Sequence, residues 1–450
     1  MGNFQARADL RLAIEYEDPG LLVENALNPR VHPKRQVNAL ARSITQFGFT
    51  TPLLIDRERR VVAGHGRLAA ARKLGLPKVP VLMIEHLSEP ELRALMVADN
   101  KLASMSNWNL DLLTENLRLL SVDTIDLDLE TTGFTMGEID VLLERTIEGD
   151  DPDDAPIGSA DGRPVNRVGD VWQLRDHRLA CGNSLDTDVW SALMRGDKAT
   201  MSCSDVPYNL EIPGTVSGLG KIKHQNFVMA TGEMSPDEFT EFLAKAFRNI
   251  AANSVTGSLH FAFIDWRHLG EMQAAGDQVF SELKNVCVWD KGSGSMGSLY
   301  RSAHELIFCW KAGKAKHRNN VELGRNGRNR TNIWRYPGIS GFRHSDEGDL
   351  LALHATPKPV RMIADAMLDV TARGDIVIDG FAGSGTSIIA AERVGRRCYG
   401  VELDPVFADT TIRRFERHSG DDAIHLATGK TFAALTLERD NEHAEVCDGR

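Results

Sequence analysis

The chain of 450 residues is 42% hydrophobic and 26% charged, an ordinary globular composition with length for two or three domains. Its formal net charge of −11 excludes polyanion binding by bulk charge, so any nucleic-acid contact needs a local basic patch. Six cysteines without zinc-ligand spacing exclude a disulfide scaffold and a Cys-based metal site, and Asp, Arg or Glu breaks every apolar run before membrane-spanning length, so a soluble, cytoplasmic, metal-free protein is expected.

From residue 21 to 104 the pattern predicts a small α+β unit. A helix runs from about Arg35 to Phe47 with Gly48 as its stop, and strands follow at Pro52–Asp56 and Arg60–Ala63. Gly64, His65, Gly66 and Arg67 then lead into helical residues 68–75, an arrangement in which a helix N-terminus can face a phosphate. A strand at Val79–Ile84 is followed by a capping box, Ser88 with Glu91, opening a helix to about Leu102.

The pieces Asn28-Pro29-Arg30, Ala41 to Ile44 with Gly48, Pro52-Leu53, Ala63 to Arg67 and Asp99-Asn100-Lys101 resemble the N-terminal domain of ParB-like nucleases and partition proteins. That resemblance implies a ParB/sulfiredoxin-like fold with nucleotide-phosphate binding at the segment 64–67. His65 and Gly66 depart from the family's Gly-Glu-Arg-Arg pattern, which argues against CTP. A sulfiredoxin needs a cysteine beside this histidine, and none is present.

Residues 105–147 are leucine-rich and read as a helical extension. The stretch 148–165, acidic and without apolar periodicity, reads as a linker. Beyond it, from 166 to about 420, apolar strands alternate with helices, the pattern of an open parallel sheet; 421–450 reads as a C-terminal tail. A second capping box, Ser235 with Glu238, opens a helix to about Ala251.

Two stretches in this part carry chemistry. The first, Ser204-Asp205-Val206-Pro207-Tyr208-Asn209, follows a short strand. It offers a carboxylate, a backbone carbonyl at Val206, a stiff turn at Pro207 and the aromatic face of Tyr208, the set that holds a planar base by its exocyclic amino group. The second runs from Asp375 to Ser387, where the strand ends in Asp379 and a glycine turn with Phe381, Gly383, Ser384, Gly385 and Thr386 enters a helix. Glu402, 23 positions past Asp379, sits at the tip of the next strand, where it can accept from ribose hydroxyls. A dinucleotide fingerprint lacks its third glycine here, and a Walker A loop lacks its lysine.

Together these motifs resemble the amino-methyltransferases of DNA that use S-adenosylmethionine, in the order of the family's β group. His354-Ala355-Thr356-Pro357-Lys358-Pro359 is similar to that group's His-Pro-Thr-x-Lys-Pro segment, which implies a place for Lys358 near the cofactor's methionine carboxylate. The resemblance further implies a Rossmann-like seven-stranded sheet, often a homodimer, and adenine N6 as target, with cytosine N4 as the alternative. Absence of a Pro-Cys pair argues against cytosine-C5 chemistry. Where the family has two prolines, Val206 stands first; it keeps the carbonyl but frees the backbone, so a ParB-like regulatory protein with a weakened methyltransferase domain stays open.

Residues 291–343 hold Lys291, Arg301, Lys311, Lys314, Lys316, Arg318, Arg325, Arg328, Arg330, Arg335 and Arg343 against only Glu305 and Glu322. This excess within an acidic chain, interleaved with asparagines such as Asn320 and Asn329, marks a target-recognition region for double-stranded DNA. Arg318, Arg325, Arg328, Arg330 and Asn329 are its expected contacts. A chain joining these modules suits a bacterial or phage genome and a restriction-modification setting.

Overall fold

Alternating side chains along the strands and apolar stripes on the helices build the two halves of the molecule differently. The computed structural model describes residues 12–122, 127–144, 164–209, 232–292, 294, 299–324, 328–338 and 358–448. Arg325, the segment 354–357 and nearly all of the acidic stretch 148–165 lie outside the described residues. The chain divides into two units, Met1–Ile147 and Glu148–Arg450.

In the first unit, strands β1 (Ile14–Glu17), β2 (Leu53–Ile55), β3 (Val61–Ala63) and β4 (Val79–Met83) form one sheet in the order β1-β4-β2-β3. Leu22, Leu53, Ile55, Val61, Leu68, Ala71, Val79 and Val81 make its core. The helices Lys34–Phe47, His65–Leu74 and Glu89–Ala103 accompany it. Ser88 and Glu91 form the anticipated capping box, which satisfies amide donors that a helix start otherwise leaves open. The leucine-rich extension is helical over Leu110–Val122 and Met136–Glu144, closed by Leu117, Leu129, Ile139, Leu142 and Leu143.

The second unit is a doubly wound sheet. Its strands are β5 (Val171–Leu174), β6 (His177–Cys181), β7 (Ala199–Asp205), β8 (Ser254–Ile264), β9 (Glu282–Asp290), β10 (His304–Lys311), β11 (Ile333–Arg335), β12 (Ile376–Asp379), β13 (Arg397–Glu402) and β14 (Ile424–His425). They lie in the order β11-β9-β10-β8-β7-β12-β13-β6-β5-β14. The sheet has ten strands rather than the expected seven, because the short strands β11 at one edge and β5 and β14 at the other extend a seven-stranded centre.

The period of two along each strand sorts the side chains onto two faces. On one, Met201, Cys203, Phe261, Phe263 and Val377 meet Val360–Leu368, Ile388–Ala391 and Ile412–Phe415 from three helices. On the other, Ala199, Ala262, Ile264, Ile376 and Ile378 meet Trp190–Met194, Phe239–Ile250 and Met272–Ala275 from three more. With both faces covered, the parallel strands β8-β7-β12-β13-β6 read as apolar runs.

Residues 421–448 are not a tail. They form β14 and the helix Phe432–Asp448, whose Phe432 and Leu435 are buried in the core, with the Phe432 ring 5.4 Å from that of Trp172. Asp170 and Arg439 pair beneath this helix, both side chains mostly buried. No helix among the described residues is long and apolar enough to cross a membrane, and no group of three or more His, Cys, Asp or Glu among them is arranged to hold a metal.

Strand order locates the crevice. From β7 the chain winds outward through β8, and from β12 it winds the opposite way through β13, so the order reverses between the neighbours β7 and β12. At such a reversal the two connections leave to opposite sides, and a cleft opens above the carboxyl ends of the strands.

Candidate active site

The end of β7 delivers Asp205 to that cleft, and the end of β12 delivers Asp379 beside it. The two strand ends are tied together where the Gly380 amide donates to Ser204 Oγ at 3.1 Å. A cavity open to solvent spans both, with Cys203, Asp205, Phe263 and Lys358 on one side. Phe381, Gly383, Ser384, Thr386 and Ser387 line the other.

Asp205 is the centre of a polar cluster. Lys358 Nζ donates to its Oδ2 at 2.6 Å, and the Tyr208 hydroxyl lies 2.8 Å from its Oδ1. The same hydroxyl lies 2.9 Å from Glu305 Oε2, and Lys358 Nζ is 3.2 Å from that oxygen. Glu305 Oε1 in turn accepts from Lys291. Lys358 is 4% exposed and Glu305 6%, whereas Asp205 is 22% and Lys291 26%, so a nearly dry inner pair is flanked by two charges that reach solvent. Lys358 Nζ also lies 5.4 Å from the ring centroids of both Tyr208 and Phe263, an electrostatic attraction to the π faces.

Burial pushes the Asp205 carboxyl above its ordinary range, a push that Lys358 only partly opposes. Burial acts the same way on Glu305, but Lys358 and Lys291 together outweigh it and hold that carboxyl below its ordinary range. The Tyr208 phenol rises well above 10, through burial and then its two carboxylate neighbours. Val206 is 2% exposed and packs among Trp190, Ile264 and Ile378, so its side chain is an anchor for the loop.

On the other side of the cleft Asp379 accepts from the Phe381 amide at 3.0 Å and from Ser387 Oγ at 2.6 Å. Glu402 accepts from the Gly383 amide at 2.7 Å and from the Asp404 amide at 2.9 Å. Burial raises Asp379 to about 6 and Glu402 to about 7, against the opposing effect of these donors. Each Glu402 oxygen keeps a second lone pair, since a carboxylate offers about four acceptor sites. Gly385 has φ +82° and caps the helix Thr386–Arg393. A Cβ there would lie 2.6 Å from Thr411 Cγ2, so glycine permits both the left-handed turn and close helix contact. Acidic acceptors, hydroxyls and the Phe381 ring around one turn form a donor and acceptor set suited to a ribose with an adenine and an amino-acid tail.

The motif resemblance implies a place for Lys358 beside a cofactor carboxylate; in the structure its ammonium meets Asp205 and the lysine lines the same cavity as the glycine turn. Sequence reasoning overlooked Glu305, counted there only as an acid diluting a basic run. An inward-facing carboxylate in the apolar strand His304–Lys311, opposite Trp289, is the signal that marks it.

The basic region is corrected in two places. Arg328 and Arg330 are not surface cations: Arg328 reaches Asp365 Oδ1 at 3.0 Å and Asp369 Oδ1 at 3.1 Å, and Arg330 Nε lies 3.1 Å from Asp369 Oδ2. With Arg328 only 7% exposed, these pairs fix the segment 328–338 to the helix Val360–Val370. Asn320 is buried too, donating to the carbonyls of Leu368 and Thr371, so it reads no base edge. Arg318 and Asn329 are exposed.

In the first unit, Gly64 takes φ +102° and caps the helix that His65 begins. His65 is 9% exposed, and its Nε2 has no hydrogen-bond partner among the described residues. Burial, then nearby His32, holds its pKa below the ordinary range. Arg67 donates to the carbonyls of Thr51 at 2.8 Å and Pro52 at 3.3 Å, bonds that direct its guanidinium to the adjoining loop. A Cβ on Gly66 would lie 3.0 Å from His32 Nδ1 and Leu40 Cδ1.

Three family models match parts of this chain. Residues 200–413 fit a family described as DNA methylase, residues 14–101 the ParB N-terminal domain, and residues 111–168 a ParB-methyltransferase HTH domain. The ParB-like nuclease domain-containing protein YnaK of Escherichia coli is 41% identical over 81 residues, 18% of this chain and 93% of that protein. Type II methyltransferase M2.MboI of Moraxella bovis is 27% identical over 141 residues, 30% of this chain but only 50% of that enzyme. Among solved structures, the PvuII DNA methyltransferase, specific for cytosine N4, aligns with a TM-score of 0.40 at 14% identity, covering 62% of this chain and 94% of that one.

Proposed function

We propose that this chain, which belongs to the DNA methylases through residues 200–413 and carries a ParB N-terminal domain at residues 14–101, transfers a methyl group from S-adenosylmethionine to an exocyclic amino group in double-stranded DNA. Adenine N6 is our reading of the target. The observation that carries the proposal is the single cavity in which Asp205 and Lys358 face the glycine turn Gly383–Ser387.

The chemical problem is electronic. An exocyclic amine is conjugated with its ring, so its lone pair is a poor nucleophile. A base swung out of the duplex would bring that amine to Asp205 and the carbonyl of Val206, which accept its two hydrogens and draw the nitrogen toward tetrahedral geometry. Tyr208 offers the stacking face, and Pro207 keeps the preceding residue extended. The cofactor supplies an electrophilic methyl group on a sulfonium. We assign Phe381, Gly383, Ser384, Gly385 and Thr386 to its turn, with Asp379 and Glu402 as its acidic acceptors. No covalent intermediate with the protein is required. The exposed cations Arg318 and Arg335, with Asn329, are our choices for DNA contact.

Transfer of a radiolabelled methyl group to duplex DNA, followed by mass spectrometry of the nucleosides, tests the reading. Labelled N6-methyladenine supports it in full, and labelled N4-methylcytosine corrects the base alone. Cofactor binding without transfer to any duplex contradicts it.

A further inference from the structure

In the cluster around Asp205 one hydroxyl stands between two carboxylates. The Tyr208 hydroxyl has a single proton, yet carboxylate oxygens of Asp205 and Glu305 lie 2.8 and 2.9 Å from it. Lys358, almost wholly buried, adds donors to both carboxylates at 2.6 and 3.2 Å. Burying two carboxylates this close to one another is costly, because like charges in a dry site raise one another's proton affinity.

Lys291 breaks the symmetry, since it pairs with Glu305 and leaves Asp205 to Lys358 alone. We propose that Glu305 and Lys291 are positioning residues that set the proton affinity of Asp205 by sharing Lys358 and the Tyr208 hydroxyl with it. This rests on the function proposed above. When the amino nitrogen gains the methyl group, the carbon–sulfur bond breaks to leave a neutral thioether and the nitrogen carries a surplus proton. That proton passes from nitrogen to the Asp205 carboxylate and then to water as product leaves. Charge and atoms balance without a further reactant. The raised pKa of Asp205 and the lowered pKa of Glu305 agree with this division of labour. The groups that bear on Asp205 are Lys358, Tyr208, Glu305, Cys203 and Asp379, with Lys291 acting through Glu305.

Two substitutions push Asp205 in opposite directions. Glu305→Gln removes a like charge and leaves Lys358 to Asp205, so the Asp205 midpoint falls by about one pH unit. Lys291→Met lets Glu305 draw harder on Lys358, so the midpoint rises. The experiment is a ¹³C-carboxylate NMR titration of Asp205 in the full chain, its resonance assigned by loss in Asp205→Asn, alongside the pH profile of methyl transfer. Opposite shifts in folded variants, with the acid limb of turnover moving in step, support the pair. Unmoved midpoints, or shifts of one sign, overturn it. If Glu305→Gln does not fold, Lys291→Met, altered at a 26% exposed side chain, decides alone. A chain that titrates as described but methylates no DNA contradicts the proposed function and not this coupling.

Discussion

Lys358 Nζ lies 2.6 Å from Asp205 Oδ2, although 153 positions separate the two residues in sequence. The lysine stands just before Pro359, the N-cap of the helix Val360–Val370, so the start of that helix carries a cation to the tip of β7. Its charge opposes the effect of burial and favours the ionised form of Asp205, and an ionised carboxylate is what can accept hydrogens from an amine.

Lys358→Met therefore separates support of Asp205 from cofactor binding. Turnover should fall by about 10²-fold or more, the size of an acid–base contribution. The cofactor Kd, followed by titration calorimetry, should change much less. A large loss of cofactor affinity with turnover intact would return Lys358 to the role its motif implies.

Gly385→Ala places a side chain at φ +82° and 2.6 Å from Thr411 Cγ2. Left-handed strain for a residue with a Cβ costs about 1 to 3 kcal/mol, and displacement of the turn adds to it. Denaturant unfolding should show the loss, and cofactor affinity should drop with it. A variant as stable and as tight as the parent would show the turn to be loosely held.

Arg328→Ala tests the correction to the basic region. Removing one partner from a buried ion pair leaves Asp365 and Asp369 under-compensated and costs about 3 to 5 kcal/mol. Stability should fall by that order, while the salt dependence of DNA affinity stays unchanged at temperatures where the variant is folded. A shallower salt slope with full stability would instead make Arg328 a phosphate contact.

The acidic acceptors predict a pH dependence with a definite sign. Glu402 titrates near 7 in the folded chain against an ordinary value of 4.5, so the native state holds a proton that the unfolded state has released. Its contribution to stability is present in full below about pH 4.5 and is lost as pH rises through 7, with Asp379 acting likewise up to about 6. Unfolding curves between pH 5 and 8 for the parent and Glu402→Gln check this. The variant should show the smaller decline, and an equal decline would place the titration elsewhere.

Much of the architecture was legible because it rests on local chemistry. Ser88 with Glu91 and Ser235 with Glu238 are both realised as capping boxes. The glycine turn after Asp379 and the acidic tip of β13 were likewise readable from strand, turn and spacing. What charge counting could not reveal was which cations already have partners: Arg328 and Arg330 meet Asp365 and Asp369 from a helix some 40 residues on. Sign and number survive in a sequence, whereas tertiary pairing does not. Glu305 and Lys291 were hidden for the same reason, both inside a run read as one basic surface. The helix Phe432–Asp448 was missed because few apolar residues anchor it, Phe432 and Leu435 among them, too sparse a pattern to distinguish from a solvated tail.

The most direct test incubates the full chain and its Asp205→Ala variant with duplex DNA and S-adenosylmethionine, then maps modified bases by sequencing. Methylated exocyclic amines, chiefly N6-methyladenine, are expected at a defined site with the parent chain. With the variant, which should still bind cofactor, methylation should fall by about 10³-fold or more. Equal methylation by both chains, or none by a parent chain that binds cofactor, would contradict the proposed function.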